Sequence, residues 1–113
     1  MATSIIHPTP GTTVNLTGDA AAASPVGTKF SLNQSSANFK MLRIYTGRNN
    51  LNSGGIMYFY VPSDATIIRV MAPTSLNNTD YYILQKNSNT EYEVVAASNT
   101  AGNYGVRGIF GIY

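Results

Sequence analysis

The chain has 113 residues, 43% of them apolar and only 11% charged, with 10 Gly, 8 Tyr and no Cys. That length is one domain with a modest core, and the charge is well below the roughly 25% usual for globular domains. Seven basic residues against five acidic give a net charge of +2, but Lys29, Lys40, Arg43, Arg48, Arg69, Lys86 and Arg107 are scattered singly. No basic run tracks phosphates, so nucleic acid is not an expected partner. Disulfides are excluded by the missing Cys. No apolar run approaches the ~20 residues of a membrane helix, and no signal-peptide pattern follows Met1.

Residues 1–11 read as an extended arm held straight by Pro8 and Pro10. Strand alternation begins at 12–17, around Val14 and Leu16, and returns at 28–33 with Phe30 and Leu32 on one face. Between them, Ala20 to Ala23 is too short for an independent helix, because nucleation is costly. In 39–46, Leu42 and Ile44 share one face, with Met41, Arg43 and Tyr45 on the other. Residues 56–61 (IMYFYV) are apolar on both faces. Strands are also expected at 66–72, 81–86, 90–97 and 106–113, with 81–86 and 90–97 joined as a hairpin across Asn87-Ser88-Asn89. Gly-, Asn- and Pro-rich breakers separate these segments. Short strands and frequent turns predict an all-β, small antiparallel sandwich, jelly-roll-like, divided as an arm at 1–15 and a domain at 16–113.

Two features exceed what a monomeric sandwich needs. The IMYFYV strand must expose either Ile56, Tyr58 and Tyr60 or Met57, Phe59 and Val61, since alternate residues face opposite ways. A subunit interface is the expected cover, on Ile56, Tyr58 and Tyr60, with a loop of the same chain as the alternative. Gly102, Gly105, Gly108 and Gly111 recur every three residues, out of step with a strand. They mark bulges or a close backbone approach near a symmetry axis, and Gly105 and Gly108 are assigned to the same interface.

The segment Gly27-Thr28-Lys29-Phe30-Ser31-Leu32, followed by a polar turn, then Asn38-Phe39 and a strand ending Ile44-Tyr45, resembles a signature of bacteriophage tail-fibre and baseplate proteins. Val106-Arg107-Gly108-Ile109-Phe110-Gly111-Ile112-Tyr113 is similar to the strand that closes their C-terminal tip domains. Leu16-Thr17-Gly18 stands where that family often has an aromatic-Ser-Gly step, a departure at the opening. The resemblance covers residues 16–113. It implies a receptor-binding β-sandwich, usually a homotrimer, at the end of a fibre where it meets the host surface. Family members are normally the ends of longer chains, whereas this one starts at its own Met; a free-standing domain with an arm also suits a capsid decoration protein. The expected setting is the virion, assembled in the host cytoplasm and released by lysis, with other virion proteins as partners.

Catalysis finds little material. His7 is the single histidine and lies in the arm. Glu91 and Glu93, two apart on a strand, share one face and could form a carboxylate pair for glycoside cleavage, although such a pair is ordinarily a solvated strand face. Asp64 and Asp80 are the remaining thought for Ca²⁺; no catalytic residue, metal site or cofactor is assigned. Binding is better supplied. Tyr81, Tyr82, Tyr92 and Tyr104, with Asn78 and Asn103 in neighbouring turns, offer the ring faces and amides that a host-surface glycan would use. The low charge suits a protein receptor equally. The expected function is non-enzymatic recognition of host glycan or protein, with capsid decoration as the alternative and glycan degradation a distant third.

Overall fold

The computed structural model describes residues 9–18, 24–48, 56–71, 81–98 and 104–113. Within them the chain is all-β: β1 Thr13–Asn15, β2 Lys29–Ser31, β3 Met41–Arg48, β4 Met57–Pro62, β5 Ile67–Met71, β6 Tyr81–Ser88, β7 Glu91–Ala97 and β8 Tyr104–Ile112. One turn of 3-10 helix, Ser36–Asn38, precedes β3. The eight strands fall where alternation places them, within about two residues. The Ala20 to Ala23 segment and His7 lie outside the described residues.

The strands form two four-stranded antiparallel sheets, β1-β8-β3-β4 (sheet A) and β2-β7-β6-β5 (sheet B). The expected hairpin of β6 and β7 forms, but its turn is Asn89-Thr90 and not Asn87-Ser88-Asn89, because β6 runs on to Ser88, which pairs with Glu91. The β1–β8 and β2–β7 pairs suit a jelly roll, but β4 stays beside β3 in sheet A, so the middle of the order departs from one. Thr13–Asn15, placed in the arm by the division at residue 15, is instead a sheet strand, pairing Val14 with Gly111. The arm's last residues are tied down as well: the Gly11 N–H donates to the Tyr113 carbonyl at 2.7 Å.

Period-two alternation builds the core. Leu42 and Ile44 from β3, Val106 and Ile109 from β8, Ile68 and Val70 from β5, Tyr82 and Leu84 from β6, and Tyr92 and Val94 from β7 are all buried between the sheets. Thr46 bridges the layers, its hydroxyl donating to the Met71 carbonyl at 2.6 Å. Beyond the short β1, side chains carry on the hydrogen bonding of β8. The Leu16 N–H donates to the Ile109 carbonyl, the Ile109 N–H to Thr17 Oγ1 and the Val106 N–H to Ser24 Oγ. Those hydroxyls satisfy donors that would otherwise be buried unpaired.

The glycines of β8 are spacers within the chain. A Cβ at Gly111 would lie 2.5 Å from the Phe39 ring, one at Gly108 would lie 2.6 Å from the Tyr45 ring, and one at Gly105 would lie 2.6 Å from Ser24 Oγ. This corrects the assignment of Gly105 and Gly108 to a subunit interface: both are buried, and the room they leave is filled by Ser24 and Tyr45. A bulge at Arg107 shifts the register between Tyr45/Gly108 and Thr46/Val106, the irregularity that the glycine spacing signals.

Gly111→Ala is expected to destabilise the fold by about 1–3 kcal/mol, because an overpacked Cβ must displace a core ring. Urea unfolding measures it; an unchanged midpoint would show that the Phe39 contact is not tight.

Candidate functional site

The tyrosines grouped by sequence as glycan ligands do not meet on one surface. Neighbouring strand residues point to opposite faces, so Tyr81 and Tyr82 separate at once. Tyr82 and Tyr92 are fully buried core residues, and their assignment as ligand-binding is corrected on that ground. Tyr81 is half-buried on the outer face of sheet B, where the Arg69 guanidinium lies 4.6 Å from its ring centre. Tyr104 enters as backbone of β8, its side chain outside the described residues, as are Asn78 and Asn103.

Burial also sets the chemistry of Tyr92. Desolvation pushes its phenol above its ordinary value of 10.0, the nearby Ser36 side chain opposes that, and the negative charge of Asp64 adds to it. Its hydroxyl lies 3.5 Å from the Ala65 carbonyl. A phenol held neutral this way is a core component.

The outer face of sheet B carries Lys29, Gln85, Asn87, Glu91 and Glu93. Lys29 pairs in register with Glu93, and Glu93 with Gln85. The Asn87 amide donates to Glu91 Oε2 and Glu93 Oε1, each at 2.9 Å. The two carboxylates share a face, as their spacing requires. Their surroundings are the same amide and open sheet surface, whereas glycoside cleavage needs two carboxyls in contrasting environments. Among the described residues no three of His, Asp and Glu gather to hold a metal.

The outer face of sheet A is different. Register places Met41, Arg43 and Tyr45 of β3 beside Tyr58, Tyr60 and Pro62 of β4 on one side and beside Gly108, Phe110 and Ile112 of β8 on the other. The Tyr45 ring lies down over Gly108, 5.4 Å from Phe110 edge-on and 6.1 Å from Tyr58. The Arg43 guanidinium sits between the flanking rings, 4.7 Å from the centre of Phe110 and 5.0 Å from that of Tyr58. Such stacking contributes about 0.5–2 kcal/mol per contact and fixes a long side chain in place. Tyr58 and Tyr60 are 51% and 57% exposed, so the result is an open aromatic shelf around a held cation.

Of the two faces offered by IMYFYV, Phe59 and Val61 pack against the core, while Ile56, Tyr58 and Tyr60 face outward. Met57 is 38% exposed at the strand's start. β4 is also a sheet edge, six residues long and without a charge. Tyr45, Phe110 and Arg43 were not grouped from sequence. A signal existed: Arg43 and Tyr45 share the face opposite Leu42 and Ile44, and Phe110 is two residues from Gly108. Pairing β3 between β4 and β8 is what brings them together.

Comparison of the chain with protein-family models, with curated proteins and with solved structures returns no match.

Two substitutions separate core from surface. Tyr82→Ala is expected to cost about 3–5 kcal/mol of stability, read by thermal or urea unfolding, as for other large core aromatics. Tyr92 gives a pH signature. Its folded-state pKa is raised, so its contribution is present in full below pH 10.0 and is lost as pH rises through the higher folded value. Tyr92→Phe should therefore flatten part of the alkaline fall in stability, and identical slopes for the two proteins above pH 10.0 would contradict the burial of this phenol.

Proposed function

We propose that the chain is a non-enzymatic virion protein of the tail-fibre-tip type, whose outer sheet A face recognises a glycan on the host surface. The observation that carries this reading is the open shelf of Tyr58 and Tyr60 beside stacked Tyr45, Arg43 and Phe110. Sugar rings present flat C–H surfaces that stack on aromatic faces, and phenol hydroxyls and a guanidinium bond the sugar hydroxyls. Tyr58 and Tyr60 project from the same side of one strand about 7 Å apart, a strip on the scale of one or two sugar rings. The two-sheet architecture agrees with the sandwich that the tail-fibre resemblance implies. The equivalent environments of Glu91 and Glu93 favour binding over cleavage.

A second reading rests on the uncharged edge of β4. Proteins usually protect long sheet edges with charge, proline or a bulge. Here β2 carries Lys29, β5 carries Arg69 and β1 is only three residues long, whereas β4 has Pro62 at its very end. That edge, with Ile56, Tyr58 and Tyr60, suits a subunit contact, either in a fibre-tip trimer or in a decoration protein attached to a capsid shell.

Two measurements follow. On an array of bacterial surface oligosaccharides, the purified chain should retain specific glycans, and Tyr60→Ala should weaken that binding about 10-fold, in line with the loss of one stacked ring. An array without retained glycans would refute the glycan reading. Light scattering addresses the trimer form of the second: a trimer dissociated by Tyr58→Lys supports the β4 contact, and a monomer at micromolar concentration rejects the trimer.

A further inference from the structure

We infer that the sheet A face selects acidic sugars, with Arg43 as the residue that engages the ligand's carboxylate. This rests on the glycan reading above and names the class of glycan.

The argument begins with charge segregation. The five acidic residues of the chain are Asp19, Asp64, Asp80, Glu91 and Glu93. None lies in a strand of sheet A, whose four strands carry Arg43, Arg48 and Arg107. The strand acids, Glu91 and Glu93, sit on sheet B, opposite Ser31 and Lys29. Arg107 is buried, so on the outer face of sheet A Arg43 is the cation that stands among the rings, with no acid in the strands beside it.

On that face Arg43 is set up for an anion. Aromatic rings flank its guanidinium at 4.7 and 5.0 Å, and its Nε is buried without a hydrogen-bond acceptor. No carboxylate pairs with it among the described residues. A guanidinium is normally placed either in water or against an acid, and this one is stacked between rings with no acid in the neighbouring strands. Stacking fixes its plane in advance, so less rotamer freedom is lost when a planar anion docks. The guanidinium fork matches a carboxylate in two parallel hydrogen bonds. Tyr60 pairs with Arg43 across the strands and is 57% exposed, which puts a sugar-stacking ring beside the charge. A uronic or sialic acid carries both parts, a ring to stack and a carboxylate to bond. A nucleic acid would instead require a track of cations, which these singly scattered residues do not form.

The test uses the full chain on an array printed with uronic- and sialic-acid-terminated oligosaccharides beside galactose- and glucose-terminated counterparts, with oligo-dT as a polyanion control. The expected result is retention of acidic glycans over their neutral counterparts, weakened by salt. Arg43→Gln should lower acidic binding about 10- to 100-fold, the range for loss of a charge-assisted pair, and lower neutral binding by a clearly smaller factor. Arg43→Lys keeps the charge without the fork and should fall between; it also serves if Arg43→Gln melts early. Equal binding of acidic and neutral glycans, or an acidic preference that is undiminished in Arg43→Gln or in Arg43→Lys, overturns the inference while the aromatic shelf stands. Preferential retention of oligo-dT overturns it in favour of a nucleic-acid surface. Failure to retain any glycan removes both this inference and the reading beneath it.

Discussion

β8 runs through the middle of sheet A with packing on both of its faces, and the rest of that sheet is arranged around how thin it is. Gly111 lets the Phe39 ring settle into the core from one side, and Gly108 lets the Tyr45 ring lie flat on the other. A side chain at either point would lift a ring away from the backbone, since a built Cβ falls within 2.6 Å of each. With Tyr45 down, Phe110 and Tyr58 stand on either side of it, and Arg43 fits between their rings. The exposed shelf is thus an upper storey whose floor is a glycine.

The two sheets divide the polar work. Sheet B's outer face neutralises itself: Lys29 opposes Glu93, Asn87 bridges Glu91 and Glu93, and Arg69 rests on Tyr81. Sheet A's outer face holds a cation among rings and offers its β4 edge unpaired. A surface with its interactions internally closed has little free energy left for a partner, whereas one with a pre-placed, unpaired charge retains it. That asymmetry, more than tyrosine content, is what favours the outer face of sheet A as the binding surface in the proposed function.

The strands were legible because period-two alternation and turn residues act locally, so each segment announces itself. The β6–β7 hairpin was legible for the same reason, although its turn sits at Asn89-Thr90, later than the Asn87-Ser88-Asn89 link expected. Side-chain placement was less so, although part of it was already determined. If Glu91 and Glu93 occupy a solvated face, then Tyr92 between them must point inward, and it does. The grouping by proximity to Asn-rich turns overlooked that constraint, and Tyr82 failed likewise. The shelf was not legible, because Arg43, Tyr58 and Phe110 meet only through pairings between distant strands. The glycine spacing foretold a bulge but not which rings it would admit.

Because β8 is the last of the described strands and an interior one of sheet A, the order of synthesis matters. The β3–β4 hairpin and the β5-β6-β7 meander can form from neighbouring segments as they emerge. β1 has nothing to pair with until residues 110–112 exist, since Thr13 meets Ile112 and Asn15 meets Phe110. The Thr17 and Ser24 hydroxyls likewise wait for Ile109 and Val106. A nascent chain therefore carries β1 and β3 on either side of an empty slot until residues 104–112 arrive. Residues 104–112 are the wedge that closes the sandwich, and a copy lacking them would keep that slot open to a neighbour.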